Sequence, residues 1–165
     1  MSIARATLLL LMLLLAGCGF QLRGAATLPF DSLFVEAPQG SQFAALFKRA
    51  LASGSGTRVV GHQRDAAATL VLVRELREKS ILSLSGTGSV REYLLRYRLT
   101  YRLLDRKGVE ITPATEIVLT RDFSFNDTET LSKESEEALL YRDMQVDAVQ
   151  QLLRRLQAAR MTPAG

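Results

Sequence analysis

The chain has 165 residues, 21 Lys+Arg against 17 Asp+Glu, and a net charge of +4. That length suits about one domain, and so small a charge excess gives no argument for nucleic acid. A single cysteine and a single histidine leave no internal disulfide and no Cys/His zinc set.

The N-terminus is patterned for export. Arg5 precedes an apolar run over residues 6–16 with eight leucines or methionines, closed by Leu15-Ala16-Gly17-Cys18. A cation, a short apolar stretch and small residues before a cut site mark a signal peptide. The run is shorter than the roughly 20 residues of a spanning helix. Cys18, directly after Leu-Ala-Gly, matches the bacterial lipobox, in which the cysteine thiol is acylated. The expected organisation is a leader over residues 1–17, a lipidated tether over 18–30 and one domain over 31–160. Gly19, where an aspartate would signal inner-membrane retention, favours an outer-membrane anchor facing the periplasm.

Within the mature part, residues 32–36 read as a short strand stopped by Pro38-Gln39-Gly40. Ser41 is suited to cap a helix over residues 42–52, because Phe43, Leu46, Phe47, Ala50 and Leu51 recur at helical spacing. Residues 57–60 are strand-like, and 66–68 are ambiguous. Residues 69–84 begin as a buried-strand run and turn polar, ending in Ser85-Gly86-Thr87-Gly88.

Residues 90–104 follow period two. Tyr93, Leu95, Tyr97, Leu99, Tyr101 and Leu103 share one face, with Arg96, Arg98, Thr100 and Arg102 on the other. Asp105-Arg106-Lys107-Gly108 is a hairpin turn, and residues 116–125 alternate again. The last segment is a helix capped by Thr130 or Ser132, with Glu134, Glu136 and Glu137 early and Arg154, Arg155 and Arg160 late, as the helix dipole favours. Two one-faced helices and a one-faced sheet bury each other in two layers. The expected fold is α+β: two helices on a mostly antiparallel, four-stranded sheet.

No catalytic pattern accompanies this fold. His62 lies in a polar segment, and the sequence has no HExxH, Gly-x-Ser-x-Gly or P-loop. The expectation is a protein that is not an enzyme and has no metal or cofactor. Binding features remain: the row Arg96, Arg98, Arg102, with Arg91 near the glycine-rich turn, and the long hairpin itself. Like charges along a strand repel, so either an anionic partner or cross-strand acids such as Glu75, Glu78 and Glu116 must relieve them.

The segment Cys18-Gly19-Phe20-Gln21-Leu22-Arg23 resembles the mature start of the LptE family of lipopolysaccharide-assembly lipoproteins. Arg121-Asp122-Phe123-Ser124-Phe125-Asn126 and the helix Glu136-Glu137-Ala138-Leu139-Leu140-Tyr141-Arg142-Asp143-Met144 are similar to it as well. The resemblance implies an outer-membrane subunit that plugs and helps assemble the LptD β-barrel and contacts lipopolysaccharide during its insertion. It also implies lipopolysaccharide contact by Lys133, at the start of the last helix. The family's basic residue at the hairpin tip has no clean match here: Gly86 or Thr87 stands there, with Arg91 a few residues on. Arg91, Arg96, Arg98 and Arg102 join Lys133 as the candidate lipopolysaccharide-binding set. The alternative is a periplasm-facing scaffold that binds protein or peptidoglycan without recognising lipopolysaccharide.

Overall fold

The computed structural model describes residues 27–126 and 130–159; Cys18 and Arg160 lie outside them. Five strands and two helices follow one another: β1 Ser32–Glu36, α1 Gln42–Gly54, β2 Arg58–Val59, β3 Ala68–Leu84, β4 Val90–Asp105, β5 Glu110–Ser124 and α2 Thr130–Gln157. The sheet order is β2-β1-β3-β4-β5. β1 runs parallel to both β2 and β3, while β3, β4 and β5 form the antiparallel meander that the two turns predict.

The sheet is therefore five-stranded and mixed, where the sequence suggests four strands, mostly antiparallel. The difference lies at residues 57–60. Only Arg58 and Val59 pair, both exposed, so no buried apolar run marks them as a strand. α1 supplies the crossover that parallel strands require.

Local chemistry sets the elements. Ser41 Oγ accepts from the Ala44 amide at 3.1 Å, capping α1. Phe43, Ala44, Phe47 and Leu51 are buried on its inner face, with the Phe43 and Phe47 rings stacked at 6.3 Å. α2 opens at Thr130, so Ser132 lies inside the helix rather than capping it, and the first turn holds no acid. Met144, Ala148, Leu152 and Leu156 carry the buried stripe of α2 into the core formed with Leu33, Leu70, Leu95, Leu99 and Leu103. Phe30, at the end of the expected tether, is also buried in that core.

β3 changes character at a bulge. Residues 68–72 are buried on both faces; the pairing then skips between Leu72 and Arg74, and Val73 is left exposed. One extra residue reverses the alternation. Leu70 and Leu72 face the helices, and beyond the bulge Glu75, Arg77 and Lys79 take that side. β5 begins at Glu110, six residues before the alternation becomes visible, because Thr112, Pro113 and Thr115 interrupt the apolar pattern.

Candidate functional site

The face of the sheet away from the helices carries the arginine row. Glu78 is directly opposite Arg96, and Glu116 is one diagonal step from Arg98. Arg98 donates through Nε and Nη2 to Glu116 at 2.9 and 3.2 Å, and its Nη1 lies 3.8 Å from Glu78. The hydrogen bond to Glu116, and then the carboxylate's charge, raise the guanidinium pKa. Arg96 lies 3.9 Å from Glu78, and Arg102 lies 3.7 Å from Glu110. Cross-strand acids thus answer most of the repulsion that the sequence poses. Glu75 is not among them, because the bulge turns it toward the helices. Arg91 differs from the rest of the row: it is exposed, and its side chain has no ionic partner among the described residues.

Lys133 belongs to the other side of the sheet. Its Nζ lies 2.9 Å from Glu136 and 3.3 Å from Ser124 Oγ, 5.6 Å above the Phe123 ring, and the side chain is only 15% exposed. Nearby, Lys79 Nζ contacts Glu137 at 2.6 Å and sits 4.2 Å from the centre of the Tyr93 ring, with Phe123 and Phe125 within 5.7 Å. Tyr93 meets Phe125 edge-on at 5.3 Å. Two lysines and three aromatic rings thus converge where α2 starts over the far end of the meander. Cations over ring faces gain from the ring quadrupole. An open groove of about 570 Å³ adjoins this cluster, lined by Arg77, Lys79, Glu134, Glu137, Ala138 and Tyr141.

Lys133 and the row of Arg96, Arg98 and Arg102 therefore occupy opposite faces and do not form one site. Sequence reasoning missed Lys79. Its signal was weak, because only the register past the bulge brings it beside Tyr93. His62 is exposed, just before the short turn Gln63–Asp65.

The chain resembles known proteins over this whole unit. The model of the family described as LptE, lipopolysaccharide-assembly, matches residues 30–156. The LPS-assembly lipoprotein LptE of Yersinia enterocolitica is 30% identical over 151 residues, covering 89% of this chain and 72% of that protein. Among solved structures, lipoprotein B of Nitrosomonas europaea, uncharacterised, is 42% identical with a TM-score of 0.75, covering 85% of this chain and 91% of that one. The rare lipoprotein B of Shewanella oneidensis shares the fold, at 23% identity and a TM-score of 0.68 over 77% of this chain and 94% of that one. With its sheet, α1, nearly all of α2 and the distal lysine–aromatic cluster inside the matched span, the chain belongs to the LptE lipopolysaccharide-assembly family.

Proposed function

We propose that this protein is an outer-membrane lipoprotein, anchored through Cys18, that plugs and helps assemble an LptD β-barrel and binds lipopolysaccharide on its way to the outer leaflet. The observation that carries the reading is the family match across residues 30–156, which takes in every strand and nearly all of α2. The lipobox around Cys18 supports the anchor: several acyl chains, at about 0.8 kcal/mol per buried CH₂, hold a protein stably on a membrane.

For lipopolysaccharide contact, geometry ranks the candidate residues. Arg91 has an uncommitted charge beside the hairpin tip and stands first. Lys133 is next; its ammonium is shared with Glu136, and a phosphate group would compete for it. Arg96, Arg98 and Arg102 must leave Glu78, Glu116 or Glu110 before they serve an external anion, so they form a reserve of charge rather than a ready site. The test is co-sedimentation of the full lipoprotein with purified lipopolysaccharide. Binding that weakens with salt is expected; no binding would favour the scaffold reading.

A further inference from the structure

We propose that the groove between α1 and α2 receives an acidic, extended segment of a protein partner, held by Arg49 and Arg142. The groove measures about 490 Å³ and is lined by Gln42, Ala45, Leu46, Arg49, Arg142 and Gln145. Both arginines are exposed, and no acid lines the groove with them. None of the candidate lipopolysaccharide contacts belongs to it, so the inference goes beyond that reading and does not rest on it.

Elsewhere, cations of β4, β5 and α2 stand beside carboxylates, as Arg98 does beside Glu116, Arg121 beside Asp147 and Lys133 beside Glu136. The groove is built otherwise. α1 carries Lys48 and Arg49 and not one acid. In α2, Ala138 and Leu139 stand one turn before Arg142, and Gln145 and Val146 one turn after. Neither arginine therefore has an acid three or four residues away, where helical ion pairs form. Arg49 Nε lies 3.4 Å from its own helix's Ala45 carbonyl, and neither guanidinium has an ion pair among the described residues. Asp143 follows Arg142 in the chain but does not line the groove. Glu75, bonded to Gln145 at the groove floor, also meets Tyr97 and Ser41.

Two guanidiniums on one groove repel each other, a cost that an anion relieves. The lining sets the chemistry of that anion. A guanidinium fork matches a carboxylate with two parallel hydrogen bonds. Beside the forks lie Ala45 and half-buried Leu46, and Gln145 is only 2% exposed. A free phosphate would use the charges and leave this apolar strip in water. A peptide uses both, with carboxylates on the arginines and a small apolar side chain on the strip. The positive charge also continues past one end: Arg77 Nη2 donates to Gln42 Oε1 at 3.2 Å, and Arg77 has no ion pair among the described residues either. Three guanidiniums in succession suit an extended segment better than a single acid.

A fluorescein-labelled peptide, Glu-Glu-Leu-Ala-Glu-Glu, titrated with the full lipoprotein and read by fluorescence anisotropy, tests the assignment beside the counterpart Lys-Lys-Leu-Ala-Lys-Lys. The expected result is saturable binding of the acidic peptide alone. Joint Arg49→Glu and Arg142→Glu substitution should weaken it roughly tenfold or more. Arg154→Glu, which removes an exposed cation of α2 outside the groove, should leave it nearly unchanged. The neutral pair Arg49→Gln and Arg142→Gln should also lose binding, which separates the lost contact from any disturbance by introduced acids. Lipopolysaccharide co-sedimentation should be the same in the double variants as in the unmodified protein. Binding that never saturates, an equal loss in Arg154→Glu, equal affinity for the lysine peptide, or full displacement by inorganic phosphate would each overturn the inference. A parallel loss of lipopolysaccharide co-sedimentation would assign the groove to the lipid and overturn the protein assignment.

Discussion

The Tyr97 hydroxyl donates to Glu75 Oε1 at 2.8 Å on the helix side of the sheet. The same oxygen accepts from Gln145 Nε2 at 2.8 Å, and Ser41 Oγ approaches Oε2 at 3.3 Å. One carboxylate thus joins β3 and β4 to α2 and to the cap of α1. Tyr97 is fully buried and Gln145 is 2% exposed, so both polar groups need this partner.

Alkaline pH should expose the Tyr97 bond. Burial first, and then the hydrogen bond and charge of Glu75, push the phenol far above its ordinary value of 10.0. A raised folded pKa means that the folded state keeps its proton while the unfolded chain loses it. The stabilisation is therefore full below about pH 10 and declines above it by about 1.4 kcal/mol per pH unit for one such group. Urea melts across this range should show a shallower decline in Tyr97→Phe. Some decline remains, because burial also raises Tyr141.

Removing the acceptor should cost more than removing one donor. Glu75→Ala takes from the buried Tyr97 and Gln145 the acceptor they share, and a loss of about 2–4 kcal/mol is expected in chemical denaturation. Tyr97→Phe at neutral pH should cost only about 1 kcal/mol, because Gln145 and Ser41 still serve Glu75.

Free and paired arginines of β4 should behave differently toward lipopolysaccharide. Arg91→Ala removes an uncommitted charge, worth about 1 kcal/mol near an anionic surface, or roughly a fivefold loss of affinity. Arg98→Ala should change affinity less, since Glu116 already answers that charge. Co-sedimentation of the two variants side by side measures the contrast; equal losses would mean that the Arg98–Glu116 pair opens on binding.

The distal aromatic cluster should couple stability to the start of α2. Phe123 is 1% exposed and lies beneath both Lys79 and Lys133. Phe123→Ala should destabilise by about 3–5 kcal/mol, and hydrogen exchange should report faster opening of the first turns of α2 than of its C-terminal turns.

Much of this architecture was legible because it is periodic. The apolar face from Tyr93 to Leu103 and the stripe from Met144 to Leu156 announce one buried sheet face and one buried helix face. The α1 cap was visible in Ser41. What stayed hidden depends on register. The Val73 bulge sends Glu75 to the helices and Lys79 to the aromatic rings, and no local pattern announces an extra residue in a strand. Residues 57–60 read as strand-like, but the two-residue β2 buries nothing, so its place as a fifth strand of the sheet carried no hydrophobic signal. Among the candidate site residues, the arginine row was found as a row, but its pairing with Glu78, Glu110 and Glu116 required the strand offsets. That Lys133 lies on the opposite face followed only from where α2 packs.

Affinity isolation of the full lipoprotein from solubilised outer membranes tests whether it works inside an outer-membrane barrel complex. Recovery of a large β-barrel protein together with lipopolysaccharide is expected. Recovery of the lipoprotein with neither would contradict it.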